Sequence, residues 1–561
     1  MRSTAAAAGM VVEKNVPVPM SDGVTLRVNV FRPAQVAPVV MSMTPYGKDN
    51  TPDRIGMLAM RLSGVRFGRL NCSPMTGFES PDPLFWVSHG YAVVQGDARG
   101  MHASDGIAGF LTDQDAHDYA EIIGWAADQP WSTGRVALNG VSYLCMSQWR
   151  VAALRPRGLA AIVAWEGVSD LLREFAYHGG IPETGFLAIW WKVRMRRGTH
   201  RGTSMGEDFL ADSRRHPLDD AYWAAKRPDL SAIDVPALVG ASWSDHGLHT
   251  RGTLLAYEQL RGPKWLVAHG RRKWETYYSA EALELQRRFL DHFLNGTSAD
   301  WADEPAVRYE LRHTRTRYTV RTSTHWPLPH ATLQTLFLDA ASMTLTPQPR
   351  TLAHTASYSA VPRRRQSDRV GFTYRFTEDT EITGSMALTV WISTDEGTDL
   401  DVFVVVRKHN PAGAVVPFYG YSGYVNDGVA KGWLRGSHRE LDETRSRPER
   451  PFHAHRTVEP IEPGEPTEMT VEIWPSSTHF EAGSELVVEI VGHDADRYQV
   501  LRHKATVNRG IHTIHTGAAT PSGLVVPIIS APCHRVTVRN RRINRARRLK
   551  KMTGLPPELQ L

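Results

Sequence analysis

The sequence has 561 residues, of which 42% are hydrophobic and 9% aromatic, and its formal net charge is +6. This composition excludes a wholly disordered chain, and the length suggests about two to four packed domains. No apolar run approaches the roughly twenty residues that span a bilayer. The three cysteines are too few and too scattered for a disulfide framework or a zinc site.

The two ends of the chain differ in charge. Residues 1–15 lack the long apolar stretch of a signal peptide, and we interpret them as a frayed start. The few scattered cysteines make a reducing cytoplasm the expected compartment, and we expect no membrane partner. Residues 533–551 contain nine Arg or Lys and no acid, which leaves a net charge of −3 on the rest of the chain. A basic segment can contact nucleic acid, but this one lacks interleaved aromatic residues. We interpret residues 533–561 as a solvated basic tail and expect no nucleic-acid partner.

In the first half of the chain, apolar strands alternate with helices. Strand patterns occur in residues 24–33, 37–47, 90–97, 136–138, 158–165, 234–243 and 264–269. Helical patterns lie between them, for example in residues 115–129. Strands connected by helices form a mostly parallel sheet that is covered on both faces. The sequence therefore predicts a doubly wound α/β domain in two parts, at residues 1–167 and 231–300.

Two further regions depart from this alternation. Residues 168–230 contain helical segments rich in Trp and Arg, which predicts a helical insertion between two sheet strands. An amphipathic helix is predicted at residues 279–295, with Ser279 as its N-cap. After a linker at residues 301–331, short segments with a period of two residues predict an all-β domain, a sandwich or jelly roll, at residues 332–532.

The candidate nucleophile lies in VALNGVSYLCMSQW, residues 136–149. This segment predicts a strand, a tight turn at Ser142 and a helix. In a doubly wound sheet, such a turn holds the serine at the carboxyl edge of the strands, where ligands bind. Gly140 keeps bulk away from the turn, and the N–H of Tyr143 points to where an oxyanion would form. The alternative interpretation of Ser142 is a helix N-cap.

An activated serine requires an imidazole and a carboxylate, which should come from later loops. The segment VPALVGASWSDHG, residues 235–247, places Asp245 just past the end of a strand. Asp245 is therefore the candidate acid. Its alternative role is an Asx-turn that stabilises its own loop.

Six segments, in order along the chain, resemble the CocE/NonD hydrolases, a family that includes cocaine esterase and X-Pro dipeptidyl peptidases. They are TPYGK (44–48), GDARGMHASDG (96–106), GVSYL (140–144), GASWSDHG (240–247), GSMALTVWISTDEGTDLD (384–401) and GWLRGSHR (432–439). The resemblance implies an α/β-hydrolase domain, a helical cap and a C-terminal jelly roll. It also implies that Ser142 is the nucleophile and Asp245 the triad acid. The Tyr46 hydroxyl would donate a hydrogen bond to the oxyanion, as would the Tyr143 N–H beside it.

The general base departs from the family pattern. Family members carry Gly-Pro-Trp-Ser/Thr-His after the last strand, whereas LVAHGRRKW places Lys273 at the histidine position. His269 ends the strand, and an imidazole titrates near neutrality without the burial that a lysine base requires. We therefore predict His269 as the base and keep Lys273 as the alternative. His246 and His249 are weaker candidates, because closeness to Asp245 in sequence tends to point their side chains away from it.

Two further sets of residues lie in the matched segments and in the insertion. The first set is interpreted as structural, because it can brace the loops around the nucleophile; it consists of Asp97, Arg99, Ser104 and Gly106. The second lies in the insertion, either as cap core or as a wall of the substrate pocket, and consists of Trp190, Trp191 and Trp223.

These residues predict a serine hydrolase that cleaves an ester or amide with a small or medium acyl group through an acyl-enzyme. An acyltransferase would use the same residues, and a non-catalytic binding protein with a degenerate triad is the alternative that Lys273 favours. The sequence has no His-Glu-x-x-His, cysteine pair or phosphate-binding glycine loop, so we expect no metal and no cofactor. The expected partner is a small-molecule ester or amide, with a homo-oligomer left open.

Overall fold

The computed structural model describes residues 9–51, 65–362, 366–496, 500–529 and 537–540. Twelve strands of its N-terminal part are β1 (Val11–Pro19), β2 (Thr25–Arg32), β3 (Ala37–Thr44), β4 (Ala92–Asp97), β5 (Ser132–Val141), β6 (Leu159–Trp165), β7 (Tyr177–His178), β8 (Ile181–Pro182), β9 (Ala237–Ser242), β10 (Lys264–His269), β11 (Val307–Arg312) and β12 (Arg317–Ser323). Apart from the small β7–β8 hairpin, they pair in the spatial order β1-β2-β4-β3-β5-β6-β9-β10-β11-β12. The pairs from β4 to β11 are parallel, as the alternation of strands and helices predicts.

Helices cover this sheet and build the insertion between β6 and β9. They are α1 (Pro83–Ser88), α2 (Asp113–Ala127), α3 (Tyr143–Ala153), α4 (Phe186–Trp190), α5 (Phe209–Arg215), α6 (Ala221–Lys226), α7 (Thr250–Gln259), α8 (Lys273–Tyr277) and α9 (Ala280–Leu290). Short π-helical turns occur at Leu172–Ala176, Trp191–Met195 and Asp291–Asn295. The central strands β3 and β4 are buried along their whole length, because helices pack on both faces of the sheet.

The helix predicted at residues 279–295 is present in two parts. The Ser279 side chain accepts a hydrogen bond from the Ala282 N–H at 3.2 Å, which confirms the N-cap. Helix α9 ends at Leu290 and continues as the π-helical turn to Asn295, after which Gly296 adopts a left-handed φ of 67°.

The C-terminal half is all β. Its strands are β13 (Ala331–Asp339), β14 (Thr344–Thr346), β15 (His354–Ser359), β16 (Arg369–Arg375), β17 (Thr380–Thr394), β18 (Asp401–His409), β19 (Val415–Val416), β20 (Phe418–Gly420), β21 (Tyr424–Asp427), β22 (Ala430–Arg435), β23 (Thr467–Phe480), β24 (Glu485–Val491), β25 (Ile511–Thr516), β26 (Gly523–Ile529) and β27 (Thr537–Asn540). The long strand β17 pairs antiparallel with β23 on one side and with β25 and β26 on the other. Strand β24 pairs with β16 and β18. Together with the parallel sheet, these strands make an α/β-hydrolase fold with a C-terminal all-β region.

Two segments differ from the sequence-based prediction. Residues 307–323, predicted within a linker, instead form β11 and β12, which extend the parallel sheet beyond β10. The segment VRYELR alternates apolar and charged residues, and Val307, Tyr309 and Leu311 are all buried, so the strand period was present in the sequence although the segment was assigned to a linker. Residues 537–540, predicted within a solvated tail, form β27 and pair with β12. The rest of the predicted tail lies outside the described residues.

No helix in the described part of the chain has the length and apolar character that a membrane crossing requires.

Candidate active site

Ser142 lies in a strained turn between β5 and α3. Its backbone has a φ of 60° and a ψ of −119°, which non-glycine residues adopt only when the surrounding structure enforces it. The Ser142 N–H donates to the carbonyls of Trp165 and Glu166, both at 3.0 Å. A side chain at Gly140 would bring its Cβ to 2.6 Å from the Leu144 Cβ, so the turn requires glycine there. Ser142 holds the N-cap position of α3, but its side chain makes no capping hydrogen bond, so capping does not account for its hydroxyl.

The Ser142 hydroxyl instead contacts His249. The Ser142 Oγ lies 3.1 Å from the His249 Nε2, and the His249 Nδ1 lies 2.5 Å from the Asp245 Oδ2. Asp245 follows β9, and His249 immediately precedes α7. Both side chains are buried, with 2% and 1% of their surface exposed. A serine, an imidazole and a carboxylate are thus linked in a continuous chain of hydrogen bonds.

His269 does not reach Ser142, so this sequence-based prediction is wrong. His269 is paired with Ser242 in the β9–β10 register and is still part of the sheet. Its Nε2 lies 3.1 Å from the Glu166 Oε1, and its Nδ1 accepts from the Arg271 N–H at 3.3 Å. The ring also stacks on Trp165, with 5.9 Å between ring centroids. The pleat therefore directs His269 into the core rather than over the sheet edge.

His249 lies four residues after Asp245, at the end of a tight turn. The His249 N–H donates to the Asp245 carbonyl at 3.2 Å, so the turn brings the two residues together. The argument that neighbours in sequence point away from Asp245 holds for His246, whose Nε2 bonds to the Pro475 carbonyl at 3.0 Å. It does not hold for His249.

Lys273 is the first residue of α8 and lies beside the same pair. Its Nζ is 2.9 Å from the Asp245 Oδ2 and 2.9 Å from the His249 Nδ1. Burial lowers the pKa of Lys273, but Asp245, Glu166 and Glu79 outweigh it and raise that pKa above its ordinary value. A protonated amine has no lone pair with which to accept the serine proton, and the two contacts of Lys273 are to Asp245 and His249, so the arrangement favours His249 over Lys273 as the base.

Burial and the charges in the site also shift the pKa values of the groups around Lys273. Burial and the Lys273 cation lower the pKa of His249, although Asp245 opposes them. Burial favours the protonated form of Asp245, yet Lys273 and His249 together hold the pKa of Asp245 well below its usual range. Burial raises the pKa of Glu166 to about 8 and that of Glu79 to about 7. At neutral pH, the site therefore holds an ionised Asp245 next to a neutral imidazole and a cationic lysine.

The donor atoms of Glu166, Asp245 and His249 lie within 4.8 Å of one another, a spacing that could hold a metal ion. The Lys273 ammonium already contacts two of these three residues at 2.9 Å. A divalent cation would therefore face a fixed positive charge, so this donor set does not fit a metal.

The two predicted oxyanion donors lie beside the serine. Tyr46 follows β3, and its ring packs edge-on against the Tyr143 ring, with 6.0 Å between ring centroids. The Ser142 hydroxyl is close enough to the Tyr46 phenol to lower its pKa through a hydrogen bond. Its hydroxyl accepts a hydrogen bond from the Trp190 Nε1 at 3.2 Å, which leaves its own proton available for donation. Burial keeps the pKa of Tyr46 well above its ordinary value, so the phenol is a neutral donor. Tyr143 opens α3, and the first N–H groups of a helix have no intrahelical acceptor.

The tryptophans of the insertion have different surroundings. Trp190 faces the site through Tyr46, whereas the Trp191 Nε1 donates to Asp208 and the Trp223 Nε1 to the His216 carbonyl. All three pack in one buried apolar cluster, and of the three Trp190 is the one that is hydrogen-bonded to Tyr46.

The residues interpreted as structural brace the loop after β4. The Asp97 carboxylate binds the Lys48 Nζ at 2.8 Å, and the Ser104 Oγ donates to the Asp97 carbonyl at 2.8 Å. The Arg99 guanidinium makes two hydrogen bonds to Asp118, at 2.7 and 2.6 Å. Gly106 has a φ of 96°, which favours glycine.

Comparison with known proteins identifies the family. The model for X-Pro dipeptidyl-peptidase (S15 family) matches residues 22–272, and the model for the X-Pro dipeptidyl-peptidase C-terminal non-catalytic domain matches residues 299–525. Cocaine esterase from Rhodococcus sp. (strain MB1 Bresler) is 24% identical, with 92% of this chain and 98% of that protein aligned.

Solved structures agree. An aminopeptidase from a Thaumarchaeota archaeon shares the fold, with a TM-score of 0.72 at 17% identity over 94% of this chain and 98% of that one. The crystal structure of a CocE/NonD family hydrolase from Staphylococcus aureus is 39% identical, covers 93% of this chain and 94% of that chain, and has a TM-score of 0.88. The chain therefore belongs to the CocE/NonD family of hydrolases, as the six sequence segments predicted.

Proposed function

We propose that this protein hydrolyses a carboxylic ester or amide with a small or medium acyl group, through an acyl-enzyme formed on Ser142. The observation that carries the proposal is the hydrogen-bond chain from the Ser142 Oγ through His249 to Asp245, at 3.1 and 2.5 Å. This is the geometry of a nucleophile, a general base and an orienting acid.

In the first half-reaction, the Ser142 Oγ attacks the carbonyl carbon while its proton passes to the His249 Nε2. The developing oxyanion accepts hydrogen bonds from the Tyr46 hydroxyl and the Tyr143 N–H. The imidazolium is stabilised by Asp245 and then donates its proton to the leaving alcohol or amine, whose bond to the carbonyl carbon breaks. In the second half-reaction, water attacks the acyl-enzyme and gives a proton to the His249 Nε2. That proton returns to the Ser142 Oγ as the carboxylic acid leaves.

The insertion and the all-β region both supply walls near the serine. Trp190 of the insertion packs into the same apolar cluster as Tyr46 and Tyr143, and Tyr421 and Leu501 join it from the all-β region. We assign the insertion at residues 168–230 as a cap, and the all-β region at residues 332–532 as a jelly roll that closes the other side. An enclosed aromatic wall of this kind favours a compact acyl group over a long chain.

The non-catalytic alternative loses its main support. It rested on Lys273 at the position of the family histidine, but His249 stands in hydrogen-bond reach of both Ser142 and Asp245. This chain of contacts supports acyl transfer to water over a non-catalytic role.

A fluorophosphonate probe tests the proposal. We expect a single covalent adduct, mapped by peptide mass spectrometry to Ser142, together with turnover of p-nitrophenyl acetate. Ser142→Ala should abolish both. Ser147→Ala is the matched control, because Ser147 lies on the same helix and its hydroxyl donates to the Leu144 carbonyl within that helix. Labelling at another residue, or turnover that survives Ser142→Ala, would contradict the assignment.

A further inference from the structure

Lys273 occupies the position at which the family motif has its histidine, but it contacts Asp245 and His249 rather than taking the place of the base. Its side chain is buried, with 7% of its surface exposed, and its Nζ lies 5.1 Å from the centre of the Trp274 ring. The neighbouring Trp274 Nε1 donates to Glu79 at 2.8 Å, which anchors the start of α8. The ammonium is therefore held in one place beside the triad.

The contacts of Asp245 favour one tautomer of His249. The His249 Nδ1 contacts the Oδ2 of an ionised carboxylate, and a hydrogen on Nδ1 satisfies this contact, whereas a lone pair there would face the oxygen lone pairs. The Nδ1 therefore carries hydrogen, and the Nε2 is free to accept the serine proton. Lys273 donates to the same Asp245 Oδ2 at 2.9 Å.

The remaining contact of Lys273 is thus between two donors. Its Nζ is 2.9 Å from the protonated His249 Nδ1, with no lone pair between them. Such a contact is tolerated only because both donors share the charge of one carboxylate oxygen. A second proton on His249 would place an imidazolium directly beside the ammonium, and like charges at this distance disfavour that state.

Other titratable groups also surround the pair. Those that act on His249, Asp245 or Lys273 are Glu166 after β6, Glu79 in the loop before α1, His269 at the end of β10 and Tyr421 from the all-β region. Burial lowers the pKa of His269 to about 3, so this ring is neutral. Burial raises the pKa of Glu166 to about 8 and that of Glu79 to about 7, so both carboxyl groups are largely neutral under mildly acidic conditions. Besides Asp245, Lys273 is therefore the charged group in direct contact with His249, and it repels a second proton.

We propose that Lys273 is a positioning residue of the triad, whose ammonium holds the Asp245 carboxylate in place and keeps the His249 imidazole unprotonated in the resting enzyme. This inference rests on the proposed function, because it assigns a role relative to the Ser142 nucleophile. A base that stays unprotonated in this way extends the pH range of activity to mildly acidic conditions, where an ordinary histidine base would already be protonated.

The test is the pH dependence of Ser142 labelling by the fluorophosphonate and of kcat/KM for p-nitrophenyl acetate. In the unmodified protein, the acid limb of both profiles should lie below the ordinary histidine pKa of about 6.5. Lys273→Met should move that limb upward by about one pH unit or more, because a cation in contact with the base is lost. Lys273→Arg should keep it low, because the charge remains.

Lys408→Met is the matched control. Lys408 is also buried and ion-paired, but with Glu481 in the all-β region, so the limb should not move. An acid limb that is the same in Lys273→Met and in the unmodified protein would overturn the inference. If Lys273→Met does not fold, the unmodified protein decides: a limb below about 6.5 supports the inference, and one at or above that value overturns it. Failure of the proposed function is distinct, because Ser142 would then not be labelled at any pH.

Discussion

Replacing His249 with Ala removes the imidazole that links Ser142 to Asp245 and leaves the oxyanion donors untouched. The Ser142 Oγ then has no base at 3.1 Å, and Asp245 keeps its contact with Lys273 at 2.9 Å. A positioned general base is worth about 10²- to 10⁴-fold, or roughly 3–5 kcal/mol of barrier, and loss of a triad member falls at the upper end. We therefore expect kcat/KM to fall by about 10³-fold or more.

His269→Ala is the comparison that separates the two histidines. The His269 Nε2 is within hydrogen-bond distance of the Glu166 Oε1. The other carboxyl oxygen of Glu166, Oε2, has no hydrogen-bond partner within the described part of the chain. Removing the ring leaves the carboxyl group still less satisfied, at a cost of about 1–3 kcal/mol in the free energy of unfolding. The melting temperature should fall, while kcat/KM stays within about tenfold of the unmodified protein.

Initial rates on p-nitrophenyl acetate, measured with a melting curve for each variant, give both readouts. This substrate is preferred to an amide because p-nitrophenolate leaves without protonation, so the assay reports the activation of Ser142 by the base. If His269→Ala loses activity and His249→Ala retains it, the hydrogen-bond chain has been misread. If neither variant changes kcat/KM, Ser142 is not activated by an imidazole.

Two further predictions concern the oxyanion donor and the packing of the sheet. Tyr46→Phe should lower kcat by about a hundred-fold with little change in KM, because the hydroxyl acts on the transition state; steady-state kinetics measure this, and an unchanged kcat would leave Tyr46 as a packing residue. Gly240→Ala should destabilise the fold by about 1–3 kcal/mol through overpacking, since its Cβ would lie 2.2 Å from the Trp165 ring. Gly371→Ala, whose Cβ would meet its nearest atom at 3.7 Å, is the matched strand control in thermal unfolding. Equal melting temperatures for the two variants would contradict this packing argument.

The sequence by itself determined the features that depend on local pattern. Apolar segments between helices predicted the parallel sheet, and a period of two predicted the all-β region, because side-chain periodicity directly reflects which face of an element is buried. The turn at Ser142 and the position of Asp245 past a strand end follow from the same patterns. Six ordered segments were enough to identify the family.

The tertiary structure alone decided which histidine meets Ser142 and what Lys273 does. His269 and His249 both lie near strand ends, and only the pleat of β10 and the turn before α7 determine the direction of each ring. Likewise, the contact of Lys273 with Asp245 joins positions 28 residues apart. Such contacts are set by long-range packing, which periodicity along the chain does not encode.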